Sequence, residues 1–191
     1  MILNEDFDFD RDAPQDVKGA FLYPPSKDLL KSEDKLCRIL TPVALTDVKN
    51  QADTWNAKPD LNEVGQWWTT QKAFNKLVAI SQEQGKNLSA VTRGKLAISL
   101  DFSSRMNGLC IVELKRDMYG FQGLAAPQRL SKKYPNLKLP GNYEQVWIPK
   151  MSWNDVFLVK FVDSFRAIER KDLFPHLTAT LGDFLKAQKK G

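Results

Sequence analysis

The stretch LAISLDFSSRMNGLCIVELKRD, Leu96–Asp117, places two apolar runs on either side of Asn107-Gly108. Asn-Gly is a strong signal for a tight turn between two antiparallel strands. The stretch therefore predicts a long β-hairpin at about residues 95–118. A three-residue loop, Met106–Gly108, sorts the residues best, because six apolar side chains from the two strands then share one face. They are Ile98, Leu100, Phe102, Cys110, Val112 and Leu114.

The same register gathers Asp101, Glu113 and Lys115 on the opposite face, with Asp101 across from Glu113. An Asp followed by Glu-x-Lys on adjacent strands resembles the active-site core of the PD-(D/E)xK nuclease superfamily. The resemblance implies that Asp101 and Glu113 bind Mg²⁺ and that Lys115 is the catalytic cation. Gln128 and Tyr134 are similar to residues found on the next helix in some branches of that superfamily. The alternative is an ordinary set of charges on an exposed strand face.

The remaining pattern predicts an α+β fold, in which a mixed or antiparallel sheet with the central hairpin packs against helices. The preceding helix is expected at about residues 61–84, from the capping pair Asp60 and Glu63 to Gly85, and at least one of Trp67 and Trp68 is expected to be buried. Strands are expected in GAFLYPP, CRILTPVAL and YEQVWIP, and SKDLLKSEDK is expected to be a polar connection or a brief helix. C-terminal helices are expected from Pro127 to Tyr134, from Ser152 through Ile168, and from Leu177 to about Lys186.

Charge divides the chain into an acidic start and a basic remainder. The first 16 residues hold six acids against Arg11 alone, so residues 17–191 carry about +10 of an overall net charge of +5. We interpret residues 1–16 as an acidic arm, polar enough to stay mobile, and residues 17–191 as one α+β domain with a short basic C-terminal tail. The arm offers a surface for a protein partner, or it folds back over the basic region and competes with an anionic ligand.

The central region has the composition of a nucleic-acid-binding surface. Between Lys86 and Lys150 there are eleven Lys and Arg against four acids, interleaved with Tyr119, Phe121, Tyr134, Tyr143 and Trp147. Such a surface can follow phosphates and stack bases, and single strands are favoured because no helix resembles a major-groove reader. The candidate contacts are Arg93, Lys95, Arg105, Lys115, Arg116, Arg129, Lys132, Lys133 and Tyr134.

Other chemistries find little support in the composition. A single His176 and two separated cysteines, Cys37 and Cys110, do not make a His-based triad or a zinc knuckle, and no glycine-rich phosphate loop is present. His176 is expected to be structural, and the thiols are expected to be unpaired and buried, as in a reducing cytoplasm. No apolar run approaches the roughly 20 residues of a spanning helix, so no membrane partner is expected.

Three hypotheses follow from these observations. The first is an accessory protein that binds single-stranded nucleic acid and needs no cofactor. The second is a Mg²⁺-dependent nuclease that uses Asp101, Glu113 and Lys115. The third is a protein-interaction or inhibitor module that does not bind nucleic acid. The oligomeric state is left open.

Overall fold

The computed structural model describes residues 2–40, 66–101, 106 and 108–162. The helices are α1 (Phe9–Asp12), α2 (Gln15–Lys18), α3 (Gln71–Glu83) and α4 (Leu88–Lys95), and a 3-10 turn spans Trp153–Asp155. The strands are β1 (Ser26–Leu30), β2 (Lys35–Leu40), β3 (Trp67–Thr70), β4 (Gly108–Leu114), β5 (Met118–Leu124), β6 (Gln128–Ser131), β7 (Tyr134–Leu139), β8 (Glu144–Trp147) and β9 (Val156–Val162).

Seven strands form one sheet in the order β1-β5-β8-β3-β2-β4-β9, and each neighbouring pair is antiparallel. Strands β6 and β7 form a separate two-stranded hairpin. The expected α+β class with an antiparallel sheet is confirmed. The strands expected in CRILTPVAL and YEQVWIP are confirmed in part, as β2 and β8, and residues 41–45 lie outside the described ranges. GAFLYPP forms no strand and contributes only an isolated bridge between Phe21 and Ala125, whereas SKDLL, expected to be a connection or a brief helix, is strand β1.

The predicted long hairpin at residues 95–118 is wrong in its first arm. Helix α4 runs to Lys95, Leu96 caps it, and Ala97 has a left-handed backbone with φ 52°, so residues 96–101 form two turns joined by irregular backbone instead of a strand. The second arm is strand β4, whose partners are β2 and β9. Six of its seven residues are buried, because the strand lies inside the sheet with apolar cover on both faces.

The helix expected at about residues 61–84 is shorter than predicted where it is described. It begins at Gln71, where the Thr70 hydroxyl accepts a hydrogen bond from the amide of Ala73 at 3.1 Å, and ends at Glu83. Trp67 and Trp68 belong to strand β3, in agreement with the strand preference of a WWTT run. The burial of at least one of these tryptophans is confirmed, since Trp68 is 2% exposed. Residues 61–65 lie outside the described ranges.

Two of the expected C-terminal helices are strands. Residues 127–134 contribute to the β6–β7 hairpin, and residues 156–162 form β9. The capping box predicted at Ser152 does exist, because the Asp155 carboxylate accepts hydrogen bonds from the amide and the hydroxyl of Ser152 at 2.8 and 2.9 Å. It closes a single turn, after which the VFLVKFV run pairs with β4. The expected helix 177–186, the basic tail and His176 lie outside the described residues.

The acidic N-terminal segment, residues 2–16, packs on the sheet. The ring centres of Phe7 and Phe9 lie 5.6 and 5.1 Å from the ring centre of Phe121, and both rings also pack against Trp147. Asn4 fixes the start of the segment, since its side-chain amide donates to the carbonyls of Tyr119 and Pro149. These contacts place residues 2–16 against the sheet, and the mobility expected of this acidic arm stays a prediction.

Strand alternation sends neighbouring side chains into different clusters. Leu109 and Ile111 of β4 pack with helices α3 and α4, whereas Cys110 and Val112 pack on the other face of the sheet. Cys37 of β2 joins the helical cluster, so the two thiols lie on opposite faces. Both are free and buried, as expected, and burial raises the pKa of Cys110 to about 12.

Tyr143 links the loop before β8 to helix α3 and makes stability depend on pH. Its hydroxyl donates to the carbonyl of Ala73 at 2.7 Å, and burial, with a smaller contribution from the charge of Glu144, raises the pKa of Tyr143 to about 12. The unfolded side chain ionises near pH 10. The contribution of Tyr143 to the free energy of unfolding is therefore constant below about pH 10. It decreases between about pH 10 and pH 12, because the unfolded state loses the Tyr143 proton first. Urea unfolding at pH 8, 10 and 11 should show a smaller loss in Tyr143→Phe than in the wild type, and an equal loss would contradict this assignment.

Candidate interaction surface

The β6–β7 hairpin carries the densest exposed basic charge among the described residues. The segment QRLSKKYPNLKL, residues 128–139, contains four cations and no acid. The cations are Arg129, Lys132, Lys133 and Lys138, and all four are exposed. In β7, five consecutive residues are exposed, so both faces of this strand meet solvent along most of its length.

Two of these cations lie directly opposite each other. Arg129 of β6 is the register partner of Lys138 of β7, so their side chains leave the same face of the hairpin. Like charges at directly opposed positions destabilise a strand pair. The hairpin thus holds an electrostatic cost in the free protein, which an anionic group placed between the two side chains would relieve.

Apolar side chains stand among the charges. Leu137 is 55% exposed and Tyr134 is 45% exposed, and the ammonium of Lys133 lies 5.5 Å from the centre of the Tyr134 ring. Tyrosine and arginine are enriched in protein interfaces, where apolar area and charge act together. The hairpin has the mixed character of such a surface.

Residues 99–101 hold the hairpin in place. The carbonyl of Leu130 accepts hydrogen bonds from the amide of Leu100 at 2.8 Å and from the hydroxyl of Ser99 at 3.1 Å. At the turn between β6 and β7, the Asp101 carboxylate accepts a hydrogen bond from the backbone amide of Lys132 at 2.7 Å. These hydrogen bonds fix the backbone that carries the basic residues. A surface that is already fixed loses less conformational entropy when a partner binds.

The structure separates the residues expected to form the nuclease site. Asp101 lies in the turn that braces the hairpin, whereas Glu113 of β4 has Lys35 and Phe157 as its register partners. Glu113 pairs with Lys35 at 3.7 Å, and the ammonium of Lys115 lies 4.5 Å from the centre of the Phe157 ring. The predicted opposition of Asp101 and Glu113 is wrong, because the strand that should have carried Asp101 does not form. Among the described residues, no group of three or more His, Cys, Asp or Glu side chains could hold a metal ion.

The nine residues proposed to contact nucleic acid fall into separate groups. Arg129, Lys132, Lys133 and Tyr134 lie together on the β6–β7 hairpin, and Arg105 lies outside the described residues. The others are Arg93 and Lys95 on α4, and Lys115 and Arg116 between β4 and β5.

Two of the separated arginines already have protein contacts. The Arg93 guanidinium donates to the carbonyl of Ile98 at 2.8 Å, and burial lowers its pKa. Arg116 forms an ion pair with the buried Asp155 at 2.6 Å. Their role in the described structure is to hold neighbouring segments together.

The aromatic residues interleaved with these cations are mostly part of the core. Phe121 and Trp147 are each 1% exposed, and the Tyr143 hydroxyl is bonded to helix α3. Tyr119 is half-buried, with the ammonium of Lys27 4.8 Å from its ring centre. Of the five aromatics, only Tyr134 is exposed, so a row of base-stacking rings is not formed by them.

Sequence reasoning missed Leu137 and Lys138 as members of this surface. The signal that could have found them is the segment KKYPNLK, in which basic residues flank an apolar residue and a proline. The predicted helix from Pro127 to Tyr134 covered the start of this segment, so the cross-strand position of Lys138 could not be inferred.

No family model matches the chain, and no curated protein matches it. Among solved structures, a chain in the structure of Tne2 in complex with Tni2 is similar to it, with 12% sequence identity and a TM-score of 0.47 over 71% of this chain and 87% of that chain. None of the helices in the described ranges has the length and apolarity needed to cross a lipid bilayer.

Proposed function

We propose that the chain is a protein-interaction module whose β6–β7 hairpin binds an acidic surface on a partner protein. The observation that carries the proposal is the direct opposition of Arg129 and Lys138 on an exposed face with no acid in the hairpin. A carboxylate of the partner that enters between them removes their mutual repulsion and forms charge-assisted hydrogen bonds. Complementary charge of this kind also accelerates association.

A protein partner agrees better with the hairpin than a nucleic acid does. Phosphates would also neutralise the cations, but binding of single strands generally adds a series of exposed rings on which bases stack. Most of the rings expected to serve that purpose are in the core, whereas the aliphatic Leu137 is more than half exposed. An aliphatic side chain beside tyrosine and arginine is suited to a protein surface. The predicted contact through acidic residues 1–16 and the cytoplasmic location stay predictions.

The proposal is tested with two labelled probes of similar length at about 0.15 M salt, where exposed charges more than about 8 Å apart are largely screened. One probe is a peptide of Asp and Glu residues with a single central Phe, and the other is a single-stranded oligonucleotide. We expect the peptide to bind the wild-type protein, and Lys138→Glu to weaken it at least about tenfold. The same substitution places a glutamate opposite Arg129, so its free energy of unfolding should be unchanged or higher.

The matched control is Lys86→Glu, which makes the same charge change at an exposed site before helix α4. We expect it to change peptide affinity less than about twofold, since Lys86 lies outside residues 128–139 and affects the peptide only through screened net charge. Stronger binding of the oligonucleotide than of the peptide would overturn the proposal in favour of nucleic acid. Equal effects of the two substitutions would also overturn it, because they would show attraction to net charge alone.

A further inference from the structure

A cleft of about 390 Å³ lies beside Gln128, the first residue of the β6–β7 hairpin. Its walls come from five parts of the chain: residues 16–20 in and after helix α2, strand β2, residues 66–69 at strand β3, residues 96–99, and residues 126–128 with Gln145 of β8. The volume lies within the range of about 300–1,000 Å³ that is usual for ligand pockets. It is large enough to receive a bulky side chain.

The cleft and the hairpin share structural elements. Gln128 is the first residue of β6 and also lines the cleft. Ser99 lines the cleft as well, and its hydroxyl donates to the carbonyl of Leu130 within the hairpin. The start of the basic hairpin and the wall of the cleft are therefore neighbours, so one partner segment can contact both.

The cleft itself selects an uncharged occupant. Trp67, Ile98 and Ala126 give it apolar walls, and its charged members, Arg38 and Asp16, are of opposite sign. The guanidinium of Arg38 lies 6.0 Å from the centre of the Trp68 ring, so this cation is already placed against an aromatic face. Negative charge on a partner is thus attracted to the hairpin, whereas an apolar side chain gains most from the cleft.

We infer that the cleft is the anchoring pocket for one large apolar side chain, aromatic or aliphatic, carried by the same acidic partner segment that binds the hairpin. The inference rests on the proposed function and gives the partner a more specific chemistry: acidic residues flanking a single apolar anchor. Buried anchors of this kind supply much of the binding energy in protein interfaces, while surrounding charges set orientation and rate.

The test compares two labelled peptides that differ at one position. Both consist of Asp and Glu residues, and the central residue is Phe in one and Ser in the other. We expect the wild-type protein to bind the Phe peptide at least about tenfold more tightly, which is the difference that burial of a large apolar side chain supplies. Ala126→Trp, which fills the cleft from one wall, should remove that preference and leave the affinity for the Ser peptide unchanged.

Two further variants guard against an effect on folding. Ala20→Trp fills the cleft from another wall and should give the same result, whereas Gln82→Trp on the exposed side of α3 should keep the preference for Phe. Equal binding of the two peptides by the wild-type protein would overturn the anchoring pocket but leave the hairpin proposal standing. Binding of neither peptide would overturn both. A preference for Phe that survives in Ala126→Trp and Ala20→Trp would place the anchor elsewhere and overturn the inference.

Discussion

Gly141→Ala should lower the free energy of unfolding by about 3 kcal/mol. Gly141 has a φ of 63°, and a Cβ atom there would lie 2.5 Å from the carbonyl oxygen of Ala125 and 2.9 Å from that of Ala126. The left-handed backbone costs a side chain about 1 kcal/mol or more, and the overlap with backbone atoms adds about 1–3 kcal/mol because those atoms cannot rotate away. Urea unfolding measures the loss, which corresponds to a fall in Tm of about 6–12 °C for a chain of this size.

Gly85→Ala is the matched control for this change. Gly85 has nearly the same φ, 59°, but a Cβ atom there would meet nothing within 4 Å. Its substitution should therefore cost only the backbone strain, about 1 kcal/mol. If the two alanine variants were equally stable, the close approach between residue 141 and the chain at 125–126 would not exist in solution.

The double substitution Phe7→Ala and Phe9→Ala should lower the free energy of unfolding by about 4 kcal/mol. Removing a fully buried Phe costs about 3–5 kcal/mol, and these two rings are each half-buried against Phe121 and Trp147. The loss would expose the large side chains beneath them. Denaturant unfolding monitored by tryptophan fluorescence gives the measurement.

Neutralising two acids of the same segment should lower the free energy of unfolding much less. Asp6→Asn with Asp10→Asn leaves the rings in place and changes two exposed side chains, so we expect a change within about 0.5 kcal/mol. A large loss from this control, or a negligible loss from the phenylalanine variant, would show that charge rather than ring packing holds the segment on the sheet.

Sequence patterns succeeded where local signals and burial agreed. The CRIL and YEQVW strands, the buried Trp68 and the unpaired thiols all follow from short runs of apolar or β-preferring residues. The Ser152–Asp155 capping box was also correctly read, although its turn leads into a strand. These features depend on residues close together in the chain.

The failures arose where distant pairing decided the structure. Residues 96–102 alternate like a strand, but β4 pairs instead with β2 and β9, which no local pattern reveals. Likewise, the Phe157 and Phe161 spacing fits a helix while Val156, Leu158 and Lys160 fit a strand, and pairing with β4 decides between them. The missing strand at residues 96–102 also removes the basis of the predicted metal site. Asp101 was expected to lie opposite Glu113 only because both residues were placed on paired strands.

The order of strands in the sheet has a consequence for how the chain acquires its fold. Strand β1 finds its partner in β5, and the hydroxyl of Ser26 bonds to the carbonyl of Gln122, 96 residues further along. Strand β4 likewise completes its pairing only with β9. Because such long-range closures must precede most of the stabilising contacts, folding is expected in the slower, millisecond-to-second range of single domains. During synthesis, the early strands emerge from the ribosome long before their neighbours exist, so the sheet assembles late.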